Sequence, residues 1–265
     1  MVTLSLDSLT LTATSPTTLI EAATTAGFDV VSLWLQPPPI YAEALVTPAN
    51  ARDCARLLAD SPVTVQALEV FDLTTAADIA GYRPALELGA GLGGTVALVY
   101  NLTNPDRAQV ADVLAEFASV AAEYGLATNI EPVVMGRTAT LAQARDLIGA
   151  SGADVGILYD VWHMLRAGEG AAQLAAIEPG LIRYVQVNDG LMTIPADRFI
   201  PESIGERLYL GLGEFPLADL LRLAPRDVTW GIETPSLRRA AAGASGEDQA
   251  CEAMAAMRSL LAALD

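Results

Sequence analysis

The chain has 265 residues, of which 52% are hydrophobic and only 18% charged, a composition that excludes a disordered or collagen-like chain and predicts a large buried core. Fifteen basic residues against thirty-two acidic ones leave a net charge of −17, so neither nucleic acid nor an anionic membrane is expected as a partner. Every basic residue is an arginine, which excludes lysine Schiff-base chemistry and a P-loop lysine.

A first strand is predicted over 4–10 (LSLDSLT). Ser15-Pro16-Thr17 then opens a helix through Ala26 that Gly27 stops, and a second strand follows over 30–35. Gln36 to Tyr41 encloses three consecutive prolines, read as a stiff wall of a site. Thr47-Pro48 supplies an N-cap and a first-turn proline for a helix to Leu58, ahead of a third strand over 63–71. The glycine-rich run Gly89 to Gly94 precedes the fourth strand, 94–100, instead of following one. That order suits a helix stop and turn better than a dinucleotide fingerprint.

Asn104-Pro105 starts a helix through Tyr124 that ends at Gly125. Strands follow over 126–131, 155–160, 182–189 and 228–233, and the last helix runs from Gly246-Glu247-Asp248 to Leu264. The longest connection, 190–210, carries Arg198 and Arg207 and is expected to cover a substrate. Eight strand–helix units of about 33 residues, with strands apolar on both faces, predict a single α/β domain over 1–265, a closed (β/α)8 barrel. Cys54 and Cys251 lack metal or redox spacing and read as free thiols. With no basic leader and no run of about 18 apolar residues, the expectation is a soluble, cytoplasmic protein.

In such a barrel the active site lies at the carboxyl ends of the strands. Strand five ends in Asn129-Ile130-Glu131, strand six in Tyr159-Asp160, strand seven in Gln186 to Asp189 and strand eight in Glu233-Thr234. Each alone reads equally as a solvated strand end. Converging together, carboxylates repel one another unless a cation joins them. One divalent metal ion held by Glu131, Asp160, Gln186 and Glu233 satisfies that demand, and the all-oxygen donor set favours Mn²⁺ or Mg²⁺ over zinc. Glu69 on strand three can reach the mouth, and Trp34, Phe71, Tyr100 and Trp162 stand where aromatic walls would suit a sugar or cyclitol, or simply pack the barrel top.

With these residues in place, the whole chain resembles the xylose isomerase-like TIM barrel superfamily of sugar isomerases, ketose 3-epimerases, inosose-processing enzymes and hydroxypyruvate isomerase. The resemblance rests on the glutamate of NIEP, on Asp160-Val161-Trp162-His163, on the glutamate of GIET, and on Arg207 to Glu214 as an R-x-x-x-G-x-G-E loop. Gln186 stands where many members carry histidine and is similar to the hydroxypyruvate isomerase-like branch. The multihistidine endonuclease IV branch does not fit a chain with one histidine.

The resemblance implies that Glu131 and Glu233 act as an acid/base pair on a small polyhydroxylated substrate, through an enediolate. It also implies that His163 sits near that substrate and that Arg207 contacts its oxygens. Asp189 can orient His163 or Arg207, or cap the loop that follows. The acidic charge and the absence of lysine count against a phosphorylated substrate, for which Arg137, Arg166, Arg198 and Arg207 are the candidates. The leading reading is an isomerase or epimerase. A lyase on the same metal site, or a sugar-binding subunit without turnover, stands beside it, and a homodimer is possible.

Overall fold

In the computed structural model, which describes residues 2–11, 14–36, 41–74 and 76–264, eight parallel strands close into a barrel in sequence order. They are β1 (Thr3–Leu6), β2 (Val30–Trp34), β3 (Thr64–Asp72), β4 (Val96–Tyr100), β5 (Ala127–Ile130), β6 (Val155–Asp160), β7 (Ile182–Val187) and β8 (Thr229–Ile232). All eight fall within a residue or two of the segments read from sequence, except that β1 stops at Leu6. There the chain turns into a 3-10 helix, Ser8–Leu11, in which Ser8 exchanges hydrogen bonds with Ser32 of β2. Residues 37–40, the proline run, lie outside the described residues.

Of three apolar clusters among the described residues, Trp34, Tyr41 and Ala44 form one at the barrel mouth, and the other two build the barrel. The larger lies between the sheet and the helices, from Leu6 and Val31 through Phe117 and Trp162 to Met257. The smaller, Ala67, Val96, Leu98, Leu158 and Tyr184, fills the barrel. Because side chains alternate along a strand, the inner face that carries these residues carries Glu69, Tyr100, Asp160 and Gln186 two positions further on. The same alternation that plugs the barrel therefore lifts a polar layer to its carboxyl end.

Helix ends follow capping chemistry where the side chains are free to cap. Ser15 accepts the Thr18 N–H at 3.2 Å, and Gly27, at φ 79°, closes the helix Pro16–Ala26. Ser245 and Asp248 exchange hydrogen bonds at the start of Gly246–Leu264. Two predicted starts are corrected. Asn50 Oδ1 accepts the Thr47 N–H, so Pro48 to Asn50 form a turn and the helix is Ala51–Ala59. Asn104 donates to Thr74 and Gln109, which leaves Asp106 to cap Arg107–Ala122. The 190–210 connection is also corrected, because it carries a 3-10 turn and the helix Phe199–Gly205. No helix among the described residues is long and apolar enough to cross a membrane.

Candidate active site at the carboxyl ends of the strands

Asp160 ends β6 and is also the N-cap of the helix Val161–Arg166, its Oδ1 accepting the His163 N–H at 2.8 Å. That cap explains the Asp-x-x-His spacing, since an N-cap oxygen reaches the N–H three residues on. The other oxygen, Oδ2, accepts from Asn188 at 2.9 Å and from Arg207 Nη1 at 3.0 Å. The same Nη1 donates to Glu233 Oε2 at 2.6 Å, so one buried guanidinium joins the acids that end β6 and follow β8. Arg207 also lies over the Trp162 ring, 5.2 Å from its centroid.

Gln186 Nε2 donates to Glu233 Oε1 at 3.0 Å and to Asp7 Oδ2 at 3.1 Å. The reverse amide orientation would set its oxygen against two carboxylates, so Oε1 faces elsewhere, buried and without a donor among the described residues. Asp7 Oδ1 in turn accepts from Ser5 at 2.6 Å and Tyr184 at 2.7 Å. Gly231 makes room for this carboxylate, because a Cβ there would lie 2.0 Å from Asp7 Oδ2. Glu69 accepts the Trp34 indole N–H at 2.8 Å.

The predicted ligands fall into two neighbourhoods. Glu131 and Asp160 lie with His163, and Glu233 lies with Asp7 and Glu69; in each group the donor atoms are within 4.8 Å of one another. Arg207 stands between the groups. Glu131, His163, Gln186, Arg207 and Glu233 line one cavity of about 200 Å³, while Asp160 is fully buried behind Arg207. His163 Nδ1 accepts the Val134 N–H at 3.4 Å, which directs its Nε2 toward Glu131 Oε1 at 3.5 Å. Burial pushes this imidazole down to about 4 against the pull of Asp160, so it is neutral at pH 7 and Nε2 carries the proton.

Five buried carboxylates, Asp7, Glu69, Glu131, Asp160 and Glu233, thus face one guanidinium. Burial raises Asp7 to about 6 and, helped by Asp7, Glu69 to about 8. Burial and the Asp160 charge lift Glu131 well above the usual carboxylate range, and burial does the same to Glu233 against the pull of Arg207. Asp160 is the exception: burial would raise it, but Arg207 and its hydrogen bonds hold it low. A divalent cation fits this donor set, since it meets hard carboxylate oxygens, an amide oxygen lacking any donor, and an excess of negative charge.

Other candidates part company here. Asp189 orients neither His163 nor Arg207. Its carboxylate accepts the N–H groups of Gly190, Gly211, Gly213 and Phe215 at 2.8 to 3.2 Å and so ties down the loop after Arg207. The two glycines of the R-x-x-x-G-x-G-E segment are explained by it: Gly211 has φ 83°, and a Cβ on Gly213 would lie 2.1 Å from Asp189 Oδ1. Trp34 and Tyr100 line the cavity. Phe71 instead packs on Tyr82 and Phe117, and the Trp162 indole donates to Glu202. Arg166 pairs with Glu202 and Arg198 with Glu206, and Arg137 lines a separate small pocket, so none of the three reaches this cavity. Asp7 lies outside the residues expected from sequence, although it too is a polar residue closing an apolar strand, because the expected first strand runs to residue 10 and β1 ends at Leu6.

The family profile described as xylose isomerase-like TIM barrel matches residues 20–260. No curated protein sequence matches significantly. Among solved structures, the chain superposes with a TM-score of 0.83 and 19% identity on a xylose isomerase-like TIM barrel/4-hydroxyphenylpyruvate dioxygenase fusion protein, covering 99% of itself and 43% of that longer chain. The IolI protein with a bound zinc atom gives a TM-score of 0.79 at 17% identity, over 100% of this chain and 99% of that one. An L-ribulose 3-epimerase gives 0.74 at 17%, over 100% and 96%.

Proposed function

Since the chain belongs to the xylose isomerase-like TIM barrel family, we propose that it is a divalent-metal-dependent isomerase or epimerase. Its substrate would be a small sugar, ketose or keto-cyclitol, reacting by proton transfer through an enediolate. The observation that carries this reading is the unbalanced acid layer at the barrel mouth, with Gln186 Oε1 buried and lacking a donor. Glu131, Asp160, Gln186 and Glu233 would hold the ion, Mn²⁺ or Mg²⁺ by their oxygen chemistry. When bound, such an ion supplies Lewis-acid polarisation of a carbonyl and the neighbouring hydroxyl, which acidifies the C–H between them.

The remaining chemistry belongs to the side chains. Glu131 and Glu233 come from strands on either side of Asp160 and Gln186, so one takes the proton from carbon and the other returns it. Return to the same carbon from the opposite face is epimerisation; return to the neighbouring carbon is isomerisation. Arg207 presents a buried guanidinium for a substrate oxygen, and neutral His163 offers its Nε2–H beside Glu131. That donor also supports a lyase reading, in which it protonates a departing hydroxyl.

The test is solvent deuterium exchange into dihydroxyacetone, simple ketoses and inososes, alongside metal titration. Wild type is expected to bind one Mn²⁺ or Mg²⁺ and to label a carbon next to the carbonyl, whereas Glu131→Gln, Glu233→Gln protein labels none. Wild type that binds no divalent ion overturns the metal site; equal labelling by the double variant overturns the base assignment.

A further inference from the structure

Above its ionic floor the cavity changes character. The aliphatic wall is Leu9, Val70, Leu102, Val133, Met135 and Ile204, and the aromatic wall is Trp34, Tyr41 and Tyr100. The polar atoms these walls carry are largely spent inside the protein. The Trp34 indole N–H donates to Glu69 at 2.8 Å, the Tyr41 hydroxyl to the Ile204 carbonyl at 2.7 Å, and the Ser203 hydroxyl to the Ile200 carbonyl at 2.9 Å. Glu69, which shares the polar layer of Asp160 and Gln186, keeps one buried oxygen without a partner and belongs to the floor. Every group able to bind several substrate oxygens, from Glu131 and His163 to Gln186, Arg207 and Glu233, lies at the floor.

A polyhydroxylated chain reaching up from that floor would strand its outer hydroxyls against hydrocarbon, at about a tenfold loss of affinity each. A hydrocarbon tail in the same place gains about fourfold for each buried methylene. We propose that the substrate is amphipathic: a small hydroxy-ketone whose two or three oxygens are confined to the reacting end, with an aryl or branched-alkyl remainder against the apolar wall. The tail is uncharged, because the guanidinium of Arg207 lies at the floor with Asp160 and Glu233, and the described residues of the wall offer a charged tail no counter-charge. This rests on the proton-transfer reading for the identity of the reacting end, and on the wall alone for the tail.

The test compares three hydroxy-ketones with the same HOCH₂–CO head on the Mn²⁺-loaded full chain. Dihydroxyacetone has no tail, erythrulose a hydroxylated one, and 1-hydroxy-4-phenylbutan-2-one an aromatic one. Affinity is read by calorimetry and proton transfer by deuterium exchange in NMR. The aryl ketone is expected to bind at least tenfold more tightly than erythrulose. A Val133→Thr, Met135→Gln variant is expected to reduce that ratio about tenfold.

Erythrulose binding as tightly as the aryl ketone, with both exchanging deuterium, overturns the amphipathic assignment and leaves the proton-transfer reading standing. The expected affinity ratio without deuterium exchange in any probe upholds the assignment and overturns that reading. Absence of binding by all three overturns both.

Discussion

Asp189 gives the sharpest test of how the site is held, because its carboxylate is the common acceptor for four backbone N–H groups: Gly190, Gly211, Gly213 and Phe215. Hydrogen bonds to a charged group are worth about 1.5–3 kcal/mol each, and a stranded buried donor costs about 1–3 kcal/mol. The four do not add fully, since the Gly211 and Gly213 donors are only partly buried and can take water once released. Asp189→Ala is therefore expected to cost about 3–5 kcal/mol, and Asp189→Asn, which keeps one acceptor oxygen, about half of that.

For a chain of this length the alanine variant should melt roughly 6–20 °C lower. Urea denaturation measures the cost, and amide hydrogen exchange shows where it falls. The loop from Leu208 to Phe215 is expected to lose protection first, because Asp189 also bridges Leu208, the neighbour of Arg207. An alanine variant within about 1 kcal/mol of wild type, or one whose 208–215 amides stay protected, would refute the account of this loop as hung from one carboxylate.

The same geometry extends to three other measurements. Gly231→Ala places a Cβ against the Asp7 carboxylate, and the overpacking should cost about 2–3 kcal/mol in a thermal melt. In metal-free protein, Asp7 and Glu69 titrate at about 6 and 8 instead of 3.8 and 4.5. Each keeps a proton in the folded state that the unfolded chain has lost, while His163, held down to about 4 in the fold, offsets one of them below its ordinary 6.5. Stability therefore falls as pH rises from about 6.5 to 8, by about 1.4 kcal/mol per unit for each net extra proton. Saturating Mn²⁺ should flatten the slope, and a melt that rises with pH from about 6.5 to 8 contradicts the sign. Cys54 is fully buried, with its thiol raised by burial, whereas Cys251 is exposed. A disulfide reagent should accordingly count one fast thiol in the native chain and two in denaturant.

The barrel is readable because its cause is local: eight short runs buried on both faces, each followed by helix signals, leave little choice of architecture. Ser15-Pro16 is a readable cap for the same reason, whereas the Ser245–Asp248 exchange at the last helix emerges only from the structure. Thr47-Pro48 and Asn104-Pro105 misled because their cap signals are local but the competing hydrogen bonds are not all so. Asn50 turns back on Thr47 within its own loop, whereas Asn104 is taken by Thr74, thirty residues away.

Asp7 shows what a break in periodicity signals. L-S-L-D alternates, but Asp7-Ser8 sets two polar residues side by side, and there the strand, which stops at Leu6, yields to a 3-10 turn held by Ser32 of the next strand. Alternation marks which residues share a face, and its break marks where the strand pairing stops. The seat of Arg207 was hidden more deeply. The motif placed it near the substrate, but its bridge between Asp160 and Glu233 depends on the fold bringing those acids to a single nitrogen. The charge excess of the mouth follows from the same convergence. Strand ends that look individually ordinary in sequence become one acid layer with an excess of negative charge only when a closed barrel brings their carboxylates together.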